Sequence, residues 1–107
     1  MGDVLSDQGD LEGALAAYRA LLTIAERLAA TDPSNAGGQR DLSVSHNNVG
    51  DVLRARGDLE GALAAYRASL AIAERLAADP SNAGRQRDLS VIRDRVRYVL
   101  RGRRDLR

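Results

Sequence analysis

The strongest constraint on the fold is an internal repeat. Residues 2–30 match residues 50–78 at 24 of 29 positions, and residues 32–44 match residues 79–91 at 12 of 13 positions. The offset between the copies is 48 residues in the first comparison and 47 residues in the second. A unit of this length cannot bury its apolar face alone, so repeated units stack and share a continuous core. We therefore expect an array of similar units.

A third copy of the unit begins near the C-terminus and then diverges. Val49, Val52 and Leu53 recur 47 positions later, whereas Gly50 is replaced by Arg97. An arginine at the place of a close helix contact suits a solubilising end cap. The chain is thus predicted to be one domain over residues 1–107, with a truncated first repeat at 1–31, a complete repeat at 32–78, and a capping helix with an arginine-rich tail at 79–107.

Each unit has the pattern of two helices. Residues 59–78 consist mostly of strong helix formers. Leu59, Leu63, Tyr66 and Leu70 recur at spacings of three and four residues, which places them on one face of a helix. This pattern predicts an amphipathic helix that packs against its neighbours in the array.

Glycine followed by aspartate is expected to form the corner between the two helices of a unit. Gly57 can end one helix, and Asp58 can cap the next one by accepting backbone N–H bonds. The first unit repeats the pair as Gly9-Asp10, which predicts a second corner there.

Aspartate followed by proline is expected to begin the other helix of each unit. Aspartate is a good cap and proline is tolerated in the first turn, as at Asp32-Pro33 and again at Asp79-Pro80. No strand pattern is present, so we predict an all-α fold. The predicted helices are a half helix at 2–8 and helices at about 10–30, 34–56, 58–78 and 81–102.

Composition excludes several classes of site. There is no cysteine, so disulfides and thiolate metal sites are impossible. No apolar run approaches the length of a membrane span, and the N-terminus lacks the pattern of a secretory signal. No phosphate loop, zinc motif or nucleophile elbow is present, so we expect no catalytic residues, no metal and no cofactor. The simplest expectation is a cytoplasmic protein.

Charge is distributed unevenly along the chain. Residues 1–84 carry 7 Arg and 12 acidic residues, a net charge of −5, whereas residues 85–107 carry 9 Arg and 3 Asp, a net charge of +6. The C-terminal segment therefore has the opposite net charge to the rest of the chain and is interpreted separately. A solvated cap is the simple interpretation of its arginines, and binding of nucleic acid or of an acidic protein is the alternative.

Both units share a pattern of small, aromatic and proline residues. Small residues occur along the paired helices, an aromatic residue occurs in the second helix, and a proline follows it. The residues are His46, Val49, Gly50, Leu53, Ala62, Tyr66 and Pro80 in the second unit, and Gly2, Leu5, Ala14, Tyr18 and Pro33 in the first. This pattern resembles the tetratricopeptide (TPR) motif, in which small residues let the paired helices approach closely. The long unit is similar to the TPRs of kinesin light chain, through Asn-Asn-Val-Gly at 47–50 and Gly-Asp-Leu-Glu at 57–60.

The resemblance implies a right-handed α-solenoid of antiparallel helix hairpins. The first helix of each hairpin lines a concave groove, which binds an extended peptide or a partner helix. Asn47 matches a position that hydrogen-bonds ligand backbone in kinesin-light-chain-like repeats. The groove residues implied in this chain are Val44, Asn47, Asp51, Arg54, Asp94, Tyr98 and Arg101.

Three residues of the first helices have simpler alternative roles. Asn47 lies in the middle of a predicted helix, and its alternative role is a place on a solvated polar face of that helix. His46, the single histidine, lies on an apolar face, where a packing role is favoured over a pH switch. Tyr98 replaces Asp51 of the previous unit and could contact a partner or cap the array.

Three functions are compatible with these features. The first is a protein-interaction scaffold that binds a protein or peptide in the groove. The second is self-association into a dimer or filament, because the apolar face of Leu11, Leu15 and Tyr18 would be only partly covered and the oppositely charged ends could attract one another. The third and weakest is nucleic-acid binding through the C-terminal arginines. A membrane partner is not expected.

Overall fold

The computed structural model describes residues 4–79 and 84–105, and the side chains of residues 9–79 and 86–104. Within these residues the chain forms helices and no strands, which confirms the all-α prediction. The four helices are α1 (Val4–Thr31), α2 (Ala36–Ala55), α3 (Leu59–Ala77) and α4 (Gly84–Asp105).

The corner between α2 and α3 forms as predicted. Gly57 adopts a φ of +86°, a left-handed conformation that favours glycine. The carboxylate of Asp58 accepts a hydrogen bond of 2.8 Å from the backbone N–H of Gly61, so Asp58 is the N-cap of α3. The glycine thus reverses the chain, and the aspartate satisfies a backbone donor of the helix that follows.

The predicted corner at Gly9-Asp10 is wrong. Helix α1 runs without interruption from Val4 to Thr31, through the predicted break between the half helix at 2–8 and the helix at 10–30. A hairpin corner is stable when both of its helices bury apolar surface against each other. The helical residues before Gly9 form little more than one turn, which buries too little surface to offset the hydrogen bonds lost at a corner.

The start of α2 also differs from the prediction. The N-cap is Asn35, whose side-chain oxygen accepts a 3.0 Å hydrogen bond from Gly38 N, and it is not Asp32. Asp32 instead closes a turn, in which its carbonyl accepts from Asn35 N and its carboxylate accepts from Ser34 Oγ. In the next unit α4 begins at Gly84, three residues later than predicted, and the predicted start at Pro80 lies outside the described residues.

The helices stack in chain order. Each helix packs mainly against the helices next to it in sequence, so α2 lies between α1 and α3, and α3 lies between α2 and α4. Connections of a few residues join α1 to α2 and α2 to α3, which makes these neighbours antiparallel. The buried core runs along the whole stack and includes Leu15, Val49, Val52, Leu53, Leu63, Tyr66, Val96 and Val99.

Two close contacts set the spacing of α2 and α3. A Cβ atom built on Gly50 would lie 2.6 Å from Cε1 of Tyr66, so only glycine admits the ring at its observed place. Nearer the start of α2, the buried hydroxyl of Ser43 lies 2.7 Å from the hydroxyl of Ser69. Small residues on both helices therefore let the two backbones approach closely, in agreement with the repeat pattern.

Candidate functional site

Helices α2 and α4 lie side by side and exchange side-chain contacts along their length. Arg40 Nε lies 3.3 Å from Asp88 Oδ2 near the start of both helices. Further along, Arg95 Nε lies 3.2 Å from Asp51 Oδ1. The contacts show that the first helices of successive units form two walls on the same side of α3.

A groove of about 280 Å³ opens between these two contacts. Its base is formed by residues of α3, and its walls are formed by residues of α2 and α4. We call this the α2–α4 groove, and it is lined by Arg40, Ser43, Val44, Asn47, Asn48, Ala73, Leu76, Arg87, Asp88, Val91, Ile92 and Arg95.

Two predicted site residues, Val44 and Asn47, line this groove. Val44 on α2 and its repeat equivalent Val91 on α4 each expose about half of the side chain at the groove surface. The Oδ1 atom of Asn47 is buried and has no hydrogen-bond partner among the described residues. A buried acceptor without a partner costs about 1–3 kcal/mol.

Asp51 is engaged within the protein. Its Oδ1 accepts hydrogen bonds from the Tyr66 hydroxyl of α3 and from Arg95 Nε of α4. Burial, together with the hydrogen bond to this carboxylate, raises the pKa of the Tyr66 phenol, which therefore remains a neutral donor. Asp51 thus links three helices at the end of the groove.

Arg54 and Tyr98 form a further contact between α2 and α4. The guanidinium carbon of Arg54 lies 5.2 Å from the centroid of the Tyr98 ring, a cation–π arrangement. Both residues are predicted groove residues, and the structure brings them together beyond the Asp51–Arg95 pair. Most of the Tyr98 side chain is exposed, so the ring also offers a surface to a ligand.

The remaining two predicted residues do not line the α2–α4 groove. Asp94 is exposed and lies 3.7 Å from Arg97, one turn further along α4. Arg101 is exposed and follows one turn later on the same helix. Both remain predicted contacts for a ligand that extends past the groove.

Sequence reasoning missed several groove residues. Arg87, Asp88 and Arg95 receive no groove role from the repeat pattern and belong only to the charged C-terminal segment. A signal was present for two of them, since Arg40 and Asp41 of one unit recur as Arg87 and Asp88 of the next. A charged pair that recurs at the start of the first helix of each unit can bridge units, as Arg40 and Asp88 do.

A second trough, of about 310 Å³, repeats part of this arrangement one unit earlier. Its base is formed by α1 and its one wall by α2. It is lined by Leu21, Ile24, Ala25, Leu28, Gly38, Asp41, Val44 and Ser45, of which several are repeat equivalents of residues in the α2–α4 groove. It differs from the complete groove because no helix of the described residues forms a second wall.

Comparison with known families agrees with this repeat architecture. The tetratricopeptide repeat family matches residues 1–33 and residues 45–79. The chain belongs to the tetratricopeptide repeat family. No curated protein and no solved structure matches the chain with statistical significance. Tetratricopeptide repeats generally mediate protein–protein interaction and are typically non-enzymatic scaffolds.

Within this TPR unit, His46 has the character of a packing residue. Its side chain is half-buried on α2 and does not line the α2–α4 groove. Burial lowers the pKa of His46, and the nearby Glu26 carboxylate opposes this shift in part. The lowered pKa agrees with a neutral, half-buried imidazole on α2.

The arginines of the last TPR helix are partly neutralised by the rest of the protein. Arg93 lies 3.7 Å from Glu74, and Arg103 Nη1 lies 3.1 Å from Glu60. These ion pairs join α4 to α3 but are largely exposed, so each stabilises the fold by roughly 1 kcal/mol or less. Arg97 stays exposed, as a capping residue should.

Two further classes of site find no support in the described residues. No helix described by the structure is both long and apolar enough to cross a membrane. Within the same residues, no group of three or more histidine, aspartate or glutamate side chains is arranged to hold a metal ion.

Proposed function

We propose that the α2–α4 groove binds an extended segment of a partner protein. The observation that carries this proposal is the groove itself, an open cleft between α2 and α4 that two predicted site residues, Val44 and Asn47, line. The side-chain amide of Asn47 has a donor and an acceptor, the two kinds of group that pair with the backbone of an extended ligand. The kinesin-light-chain resemblance implies the same role for Asn47.

The shape of the groove suits side chains of such a segment. Val44, Val91, Ala73 and Leu76 make much of its surface apolar. Its volume of about 280 Å³ lies just below the range for pockets that hold drug-sized molecules. One or two apolar side chains of a peptide would fill it.

Charge around the groove favours an acidic segment. Three arginines and one aspartate line it, which leaves an excess of positive charge. Arg40 and Arg95 are paired with carboxylates of this chain, whereas Arg87 forms no ion pair within the described residues. A ligand carboxylate near Arg87 would therefore gain a partner without breaking an existing pair. This mode of binding needs no catalytic group, and we propose a non-enzymatic scaffold.

Peptides selected from a random library on the wild-type protein provide the probe for this proposal. We expect Asn47→Ala to weaken the binding of such peptides about 5-fold, since one hydrogen bond contributes about 1 kcal/mol. We expect Val91→Asp to weaken it more strongly, because a carboxylate would replace part of the apolar wall. Affinities would be measured by isothermal titration calorimetry.

Ala64→Asp is the matched control for Val91→Asp. Ala64 is exposed on α3 and does not line the groove, so the same added charge should leave peptide affinity unchanged. Thermal unfolding of Asn47→Ala gives a second readout. The free protein should gain about 1 kcal/mol of stability, because an unsatisfied acceptor and a weak helix former are removed. Peptides that bind both groove variants as tightly as wild type would exclude the groove as their site.

A further inference from the structure

An exposed apolar stripe runs along α1. Leu21, Ile24 and Leu28 are 54%, 53% and 65% exposed, and their spacing of three and four residues places them on one face of the helix. We call these three residues the α1 stripe. Large apolar side chains exposed together on one helix face mark an interaction surface.

In the second unit, neighbouring helices cover the equivalent face of α3. The equivalents of Leu21, Ile24 and Leu28 in the second unit are Ser69, Ile72 and Leu76. Ser69 and Ile72 are buried there, because α2 and α4 both pack against α3. Helix α1 has the sequence of a helix that packs on two sides, but within the described residues it packs closely only against α2.

None of the described helices of the same copy covers the α1 stripe. The occupant that this chain itself can supply is therefore a helix of a second copy.

Helix α4 of a second copy is a poor fit to this face. A helix that paired with α1 as α2 pairs with α3 would place its equivalent of Gly50 against the Tyr18 ring. In α4 that equivalent is Arg97, and even a Cβ atom at Gly50 would lie 2.6 Å from the Tyr66 ring. Head-to-tail stacking through α4 is thus blocked at its central contact.

Helix α1 of a second copy fits in the antiparallel direction. The stripe side of α1 carries large residues in its second half and small exposed residues, Gly13 and Ala17, in its first half. A two-fold axis near Ala20 would set Leu28 over Gly13 and Ile24 over Ala17 of the other copy. Pairing of large with small residues lets two helices approach closely.

The charges along α1 complement one another in the same arrangement. Asp10 near the start and Arg27 near the end are both exposed, and neither forms an ion pair among the described residues. An antiparallel pair brings Asp10 of each copy within reach of Arg27 of the other. A two-fold interface forms this contact twice.

We propose that the chain forms a symmetric homodimer through antiparallel packing of α1 against α1 of a second copy. Leu21, Ile24 and Leu28 do not line the α2–α4 groove, whereas Val44 lies both in the groove and in the trough beside the α1 stripe. A dimer whose contacts stay on α1 leaves both grooves open and would present two ligand sites. This inference does not depend on what the groove binds.

Light scattering on a sizing column tests the proposal over a range of protein concentrations. We expect the wild type to approach twice the monomer mass of 11.5 kDa. Ile24→Asp should raise the dissociation constant about 100-fold or more, because a symmetric interface loses the apolar side chain twice. Ala64→Asp, on the exposed face of α3, should stay dimeric. Far-UV circular dichroism checks that each variant retains its helix content.

A single cysteine tests the geometry, because the chain has none of its own. Ala20→Cys lies beside the proposed two-fold axis and should form a disulfide-linked dimer on mild oxidation. Ala64→Cys should stay largely monomeric on a denaturing gel without reductant. A wild type that remains monomeric at all concentrations, or a dimer unaffected by Ile24→Asp, would overturn the proposal.

Discussion

Gly50 and Tyr66 determine how closely α2 and α3 pack. The glycine leaves room for the ring, and the ring hydroxyl then reaches Asp51, which also holds Arg95 of α4. A missing side chain on α2 therefore permits a hydrogen-bonded link across three helices. The same link fixes one end of the α2–α4 groove.

Gly50→Ala should destabilise the protein by about 1–2 kcal/mol. The added methyl group would gain up to about 1 kcal/mol in helix propensity, but overpacking against the ring costs about 1–3 kcal/mol. Urea unfolding followed by circular dichroism measures the net change. Gly102→Ala is the control, because a Cβ atom there would meet only Leu59 Cδ1, at an ordinary contact distance of 3.5 Å. Equal stability changes in the two variants would refute the packing role assigned to Gly50.

Some residue roles could be predicted from the sequence and others could not. Gly50, Ala62 and Tyr66 follow from the repeat pattern, because close helix packing demands small residues opposite a ring. The partners of Asp51 could not be predicted, since an aspartate on a helix surface has several cations within reach in the sequence. Which of them it meets depends on the register between α2 and α4, and that register is fixed only by the whole stack.

At the scale of helices, the same dipeptide has two outcomes. Gly57-Asp58 forms a corner with a left-handed glycine, whereas Gly9-Asp10 lies within α1. The sequence that follows the dipeptide is the same in both places, but the three residues before it differ, with Ser-Asp-Gln at 6–8 and Arg-Ala-Arg at 54–56. The two preceding helical segments also differ in how much apolar surface they bury. Val49, Val52 and Leu53 precede Gly57 and are buried in the core, which stabilises the corner.

Replacing the glycine by alanine at each place should have opposite effects. Gly9→Ala should stabilise the protein by up to about 1 kcal/mol, because a Cβ atom there meets nothing within 4 Å and alanine favours the helix. Gly57→Ala should destabilise it by about 1–2 kcal/mol, because its φ of +86° strains any residue with a Cβ atom. Thermal unfolding of the two variants under matched conditions measures both. Destabilisation by Gly9→Ala would indicate that the first corner does form in solution.

At the scale of the whole molecule, the repeat explains which surfaces are complete. The α2–α4 groove has a base and two walls, whereas the trough at α1 has a base and one wall. The exposed face predicted at Leu11, Leu15 and Tyr18 is also different in the structure. Leu15 is buried and the other two are partly buried, while the uncovered residues lie further along α1.

The charge asymmetry of the sequence is balanced in part inside the molecule. Arg93 and Arg103 of α4 pair with carboxylates of α3, and Arg95 pairs with Asp51 of α2. The positive segment is visible in the sequence, but its partners are not, because they come from a different part of the stack. The pairing reduces the charge available for head-to-tail attraction or for binding nucleic acid.

The most direct test of groove binding is an amide chemical-shift titration of the isotope-labelled protein with a selected peptide. We expect the largest shifts on α2 and α4 around Val44, Asn47 and Val91, with the side-chain amide of Asn47 among them. Residues on the exposed face of α3, such as Ala64, should not move. Shifts confined to the α1 stripe or to the exposed face of α3 would contradict the assignment of the groove as the binding site.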